Sequence, residues 1–144
     1  MNDRFRFRAI DNRDWVDEDK KGKIYYDVQE AYDYAGGEPE VPVTCFSDIV
    51  EGEGWIVEQC TGLKDKNGRL IYEGDIIELY RGKSNIHQKK GKRFEVKFLT
   101  HRFCGFGFGY VDCPSVDMAL TESKAKICRV IGNIHENPEL MEDK

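Results

Sequence analysis

The chain has 144 residues, 40% apolar, 12% aromatic and 34% charged, and its 22 basic and 27 acidic side chains leave a formal net charge of −5. This length is enough to bury roughly 70% of the unfolded surface in one core without disulfide help, and 8 Phe, 7 Tyr and 2 Trp exclude global disorder. No apolar run approaches the ~20 residues of a membrane-spanning helix, and Met1 opens onto Asn-Asp-Arg-Phe-Arg rather than an apolar signal core, so a soluble cytoplasmic protein is expected.

Residues 4–10 alternate charged and apolar side chains, which predicts a half-buried strand with Phe5, Phe7 and Ala9 inward and the arginines outward. Residues 11–14 and 17–22 have turn chemistry, and 23–28 read as a second strand pairing with the first as a hairpin. Residues 29–35 suit one or two helical turns stopped by Gly36-Gly37, the prolines at 39 and 42 exclude regular structure, and 44–53 are ambiguous. The β-branched run 55–60 predicts a strand. Asn67-Gly68 predicts a tight turn, because both residues accept positive φ.

Further strands are predicted over 69–72 and 76–80, separated by Glu73-Gly74-Asp75. A basic loop over 81–92 leads to 94–98, where Phe94, Val96 and Phe98 share one face, and then to the glycine-interleaved stretch 103–111. A last strand spans 126–131, and Asn137-Pro138-Glu139 predicts a short helix with Asn as N-cap and Pro at the first helical position. The fold class implied is mainly β: a small antiparallel β-barrel, SH3-like or similar, with an N-terminal β-hairpin extension over 1–54, a barrel over 55–144 and a short C-terminal helix.

Charge is segregated. Residues 11–60 hold 4 basic and 14 acidic side chains, whereas 61–100 hold 10 basic and 5 acidic. Within the second block Arg81, Lys83, Lys89, Lys90, Lys92, Arg93 and Lys97 face Glu95 alone, a density that attracts phosphates or an acidic partner but also serves as a solvated flank beside a strand. The neighbouring Phe106, Phe108 and Tyr110 alternate with glycines. Such a row can stack bases, or it can fill a barrel core while the glycines permit close approach. Its spacing does not match G-x-G-x-x-G.

Five cysteines form an odd set without a close pair, so free thiols are expected, and His101, Cys104 and Cys113 lack the Cys-x2-4-Cys spacing typical of zinc. No cofactor is implied. Asp65, Glu73 and Asp75 are the carboxylates that a Mg²⁺-dependent nuclease or hydrolase would use; as turn residues they would instead accept backbone amides.

The stretch Gln59-Cys-Thr-Gly-Leu-Lys-Asp-Lys-Asn-Gly-Arg-Leu-Ile-Tyr-Glu-Gly-Asp-Ile-Ile77, with Phe5-Arg-Phe-Arg-Ala-Ile-Asp11 before it and Val130-Ile-Gly-Asn-Ile-His-Glu-Asn-Pro-Glu-Leu140 after it, resembles the YopX family of phage and prophage proteins over essentially the whole chain. Ile10 stands where that family often has Trp, and Cys60 where an aromatic is common. The resemblance implies a small protein of phage or prophage origin in bacterial cytoplasm and hints at self-association; no established activity comes with it, so no catalytic residue is carried over. In the central signature, Thr61-Gly62, Asn67-Gly68 and Gly74-Asp75 read as structural turns. Three functions follow: a noncatalytic binding module for nucleic acid or a host or phage protein; a homo-oligomer joining the acidic 11–60 segment to the basic 81–97 segment; and a metal-dependent nuclease or hydrolase using Asp65, Glu73 and Asp75.

Overall fold

The structure, a computed structural model, describes residues 3–14, 17–19, 21–30, 46–79, 92–99, 105–110 and 113–141, and the chain forms two compact units, Met1–Cys60 and Thr61–Lys144.

In the first unit, strand β1 (Phe7–Asp11) lies between β2 (Ile24–Tyr26) and the opening half of β3 (Trp55–Lys64), antiparallel to both. Ala9 is opposite Tyr25 on one side and Val57 on the other. Strand β1 has a partner on each edge, and the burial of Arg8, Ala9, Ile10 and Asp11 in succession shows that both its faces are covered, which corrects the expected outward orientation of Arg8. Arg8 is fully buried, its Nε donating to Glu58 Oε1 at 2.8 Å from the position directly across the ladder. Alternation alone assigns Arg8 to solvent; the register supplies a carboxylate that makes burial tolerable. Phe5, expected inward, lies in a 3-10 turn (Asp3–Phe5) and is exposed.

Arg6 donates from Nε and Nη2 to the two Asp27 carboxylate oxygens at 2.8 and 2.9 Å, holding Asp27 at φ 57°, a conformation that Asp tolerates better than most residues. The 3-10 turn Val28–Glu30 and helix α1 (Phe46–Glu51) deliver Val28 and Ile49 to a core with Ala9, flanked by Phe7, Tyr25, Trp55 and Val57. Of the segment 44–53, whose pattern is ambiguous, residues 46–51 form a short helix, and 44–45 lie outside the described residues.

In the second unit, the end of β3 pairs with β4 (Leu70–Tyr72). Strands β5 (Asp75–Leu79), β6 (Lys92–Leu99), β7 (Gly105–Tyr110), β8 (Cys113–Ala119) and β9 (Cys128–Asn133) form an antiparallel sheet in the order β8-β7-β6-β5-β9, curved as a half-barrel. Its inner face carries Ile77, Leu79, Phe94, Val96, Cys128 and Val130, joined by Ile71, Leu120 and Ala125. A single helical turn, α2 (Glu122–Ala125), enters β9, and Thr121 caps it by accepting from the Lys124 amide. The mainly β, antiparallel class read from the sequence is the class observed. The C-terminal helix is one 3-10 turn (Pro138–Met141), and β8 is a strand that the sequence pattern did not reveal. Among the described residues no helix is long and apolar enough to cross a membrane.

Candidate functional site

The hairpin between β3 and β4 is built around Asp65. Its main chain closes the turn with Arg69, and its Oδ1 accepts from the Asn67 and Arg69 amides, both at 2.9 Å. Gly68 supplies the positive φ (82°) that the turn requires. The second carboxylate oxygen accepts from the Val130 amide on β9 at 2.9 Å, and the Lys66 amide donates to the Cys128 carbonyl at 3.0 Å. A three-amide shell therefore binds a carboxylate that is 5% exposed, an arrangement that satisfies buried charge without a cation. Beside it, burial pushes the Cys128 thiol up to about 11, with the Asp65 charge adding to the rise; this thiol stays protonated at neutral pH.

The next turn repeats the device. Asp75, 1% exposed, accepts the Tyr72 amide at 2.8 Å. Between them, the Gly74 amide donates to Val96 on β6 and its carbonyl accepts from Ile134. Thr61 donates its hydroxyl to the Ile71 carbonyl and accepts from the Leu63 amide, while Gly62 lies inside β3 at φ 82°. The signature residues of 61–75 thus tie main chain to main chain. Asp65, Glu73 and Asp75 are not brought together as a metal set: among the described residues no group of three or more His, Cys, Asp or Glu side chains could hold an ion.

Of the candidate basic residues, Arg81, Lys83, Lys89 and Lys90 lie outside the described residues, as do His87, His101 and Cys104. Lys92 and Arg93 open β6. Lys92 is exposed, while Arg93 lies 3.6 Å from the Glu78 carboxylate and donates to the Leu140 carbonyl at 3.2 Å. Glu78 is the centre of a row that the sequence did not suggest. It is buried on β5 directly between Arg93 on β6 and Arg129 on β9, and Arg129 donates to it from Nε and Nη2 at 3.2 and 2.9 Å. A cue exists in the pattern, a Glu inside an apolar strand, but the partners come from register alone.

Phe106 faces Phe98 across the β6–β7 ladder, edge to face with ring centroids 5.2 Å apart, and Phe98 is 44% exposed. Phe108 is opposite Val96 and Tyr110 opposite Cys113 in the register; the side chains of Phe108, Tyr110 and Cys113 lie outside the described residues. Lys97, one residue from Phe98, is opposite Gly107 and so belongs to the other face of the sheet.

Two further networks went unread in the sequence. Asp11 accepts from Arg13 Nε and Nη2 at 2.8 Å each, and the Arg13 guanidinium lies over the Trp55 ring at 4.7 Å. In the Gly132–Asn137 turn, Asn133 Oδ1 accepts from the His135 and Glu136 amides at 3.0 and 2.8 Å.

The comparison that decides kinship is the family description "YopX protein", which matches residues 4–142. The chain belongs to the YopX family. Among solved structures, it resembles protein EF1440 from Enterococcus faecalis at 26% identity and a TM-score of 0.58, over 95% of this chain and 97% of that one. It also resembles YopX from Bacillus subtilis at 18% identity and a TM-score of 0.54, over 100% and 99% of the two chains, a likeness of fold. No curated protein matches it. The central signature of this YopX-family protein coincides with the amide-binding carboxylates Asp65 and Asp75.

Proposed function

We propose that this YopX-family protein is a noncatalytic binding module, a phage or prophage accessory protein acting in bacterial cytoplasm, and that its macromolecular partner is a nucleic acid. The observation that carries the noncatalytic reading is the use made of Asp65 and Asp75. Both are buried and bound to main-chain amides, the environment of a structural acceptor rather than of a metal ligand or general base. The partner class rests on the basic stretch Arg81, Lys83, Lys89, Lys90, Lys92 and Arg93, which has the composition of a phosphate-contacting segment. The Phe98–Phe106 pair, with Phe98 44% exposed, offers a ring to an unstacked base.

Fluorescence anisotropy with labelled single-stranded and duplex oligonucleotides tests this reading. Affinity should fall steeply between about 50 and 200 mM salt, and exchange of Lys89, Lys90 and Lys92 for Gln should remove most of it. Absence of binding at low salt contradicts the nucleic-acid reading. A second reading, self-association, is favoured by the charge segregation between residues 11–60 and 81–97. Light scattering separates the two: an oligomer at low salt that dissociates at high salt supports self-association, and a monomer throughout excludes it.

A further inference from the structure

We infer that Asn67 is a site of spontaneous covalent modification. It deamidates through the main-chain nitrogen of Gly68 to aspartate and isoaspartate when the β3–β4 hairpin opens, and the isoaspartyl product cannot rebuild the Asp65 shell.

Asn67-Gly68 is the single Asn-Gly pair of the chain, and both residues are exposed at the tip of the turn. A Cβ built on Gly68 would meet nothing within 4 Å, so no neighbouring group crowds the reacting atoms or keeps water from them. The absent side chain matters, because any other residue after Asn67 would hold a Cβ against the closing ring. The step needs only water. The Gly68 nitrogen loses its proton to solvent base and forms a bond to Asn67 Cγ; the Cγ–Nδ2 bond breaks and ammonia leaves, giving a cyclic imide. Water then opens the ring. Cleavage of the new N–Cγ bond leaves aspartate, and cleavage of the original peptide bond leaves isoaspartate, whose main chain runs through Cβ and Cγ.

The folded turn holds this reaction back. The Gly68 amide donates to the Asp65 carbonyl at 3.0 Å, and the Asn67 and Arg69 amides donate to Asp65 Oδ1, both at 2.9 Å. With Gly68 at φ 82°, this is a three-residue loop made of a type I turn followed by a left-handed glycine, in which Asn67 has ψ of about 0°. The Gly68 nitrogen then points back across the turn to Asp65 and not toward Asn67 Cγ. Bringing it onto Cγ requires the Asn67–Gly68 peptide plane to rotate, which breaks the Gly68 bond and carries the Arg69 amide off Asp65. Reaction and shell are mutually exclusive, so the rate in the folded protein follows the small population of open hairpin.

The two products differ in consequence. Aspartate preserves the chain length and is itself a turn residue. Isoaspartate inserts a methylene between the 67 and 69 amides, so one carboxylate oxygen no longer accepts both, and it leaves a free carboxylate as a like charge beside Asp65. Because the other Asp65 oxygen holds the Val130 amide at 2.9 Å, the loosening reaches β9.

The test ages the full chain at mildly alkaline pH, folded or unfolded in urea, and maps its peptides by mass spectrometry, with an isoaspartyl methyltransferase as the probe for the β-linked product. The unfolded chain should convert at Asn67 before any other asparagine, and the folded chain about tenfold or more slowly. At a temperature where melting curves show both variants folded, Asp65→Ala should convert several-fold faster than the unaltered protein, whereas Arg8→Met, which leaves the hairpin bonds in place, should not. In the aged protein, hydrogen exchange at the Val130 amide should quicken in the isoaspartyl fraction and stay native in the aspartyl fraction. Absence of conversion at Asn67 in urea overturns the site. Equal rates in folded and unfolded chain overturn the gating, and unchanged Val130 exchange in the isoaspartyl fraction overturns the link to the shell.

Discussion

The Asp65 carboxylate and the Val130 amide, 65 residues apart in the chain, meet at 2.9 Å and join the β3–β4 hairpin to strand β9. Because the other oxygen of Asp65 already serves Asn67 and Arg69, a single buried side chain fixes both the local turn and a long-range contact. Replacing it orphans three amides at once. Asp65→Ala should cost about 3 to 5 kcal/mol of unfolding free energy, and Asp65→Asn, which keeps one acceptor oxygen, less than half of that. Urea denaturation of the two variants checks the order; equal and small losses would mean that the shell is not what holds the hairpin.

Arg8 and Glu58 make a different kind of prediction. The pair is buried, so removing one partner leaves an uncompensated charge, and Arg8→Met alone should destabilise by about 3 to 5 kcal/mol. The double variant Arg8→Met with Glu58→Leu should recover much of that loss, since two apolar side chains of similar size avoid the desolvation cost. A double-mutant cycle by thermal or urea unfolding reads the coupling directly. Additive losses would contradict it.

Two glycines at positive φ should respond unequally to alanine. Gly68 (φ 82°) has open space where a Cβ would go, so Gly68→Ala meets only the backbone penalty of about 1 to 2 kcal/mol. At Gly54 (φ 85°) a Cβ would sit 2.7 Å from the Arg13 Cα, a main-chain atom that cannot swing aside, so Gly54→Ala should cost more than Gly68→Ala by a further 1 to 3 kcal/mol, roughly. Comparison of the two melting curves decides it.

Acid should weaken the first unit through Asp27 and Asp11. The Arg6 hydrogen bonds hold the Asp27 carboxyl below its ordinary range against the opposing effect of burial. Burial works to raise the Asp11 carboxyl, but its bonds to Arg13 outweigh this and leave it lowered. A carboxyl that binds its proton less readily when folded contributes stability above its unfolded value, about 4, and that stability is lost as pH falls through the lower folded value. The urea midpoint should therefore be steady near neutrality and decline below about pH 5, and Asp27→Asn should flatten the decline. A midpoint that rises with acid would reverse the sign.

The strands and turns of the second unit are legible in the sequence because their signals are local. Period-two alternation marks β6, Asn67-Gly68 marks a turn that only positive φ closes, and Asp75 beside Gly74 marks a carboxylate able to reach the Tyr72 amide. What stayed hidden depends on register. Arg8 looks solvent-facing until β3 places Glu58 across from it, and Glu78 looks misplaced in an apolar strand until β6 and β9 bring Arg93 and Arg129 alongside. Strand β8 escaped because the alternation in Cys-Pro-Ser-Val-Asp-Met-Ala is short, carries a Pro and holds a single β-branched residue, and its place beside β7 is set by tertiary pairing.

The most direct measurement is a gel-shift and cleavage assay in one lane set: labelled nucleic acid incubated with Mg²⁺ and either the unaltered protein, Asp65→Asn or Asp75→Asn. Structural carboxylates in a binding module predict retarded but intact nucleic acid with the unaltered protein, and variants that melt earlier yet retard it when folded. Metal-dependent cleavage by the unaltered protein, abolished in a folded Asp75→Asn, would contradict this and move those acids from the scaffold to the chemistry.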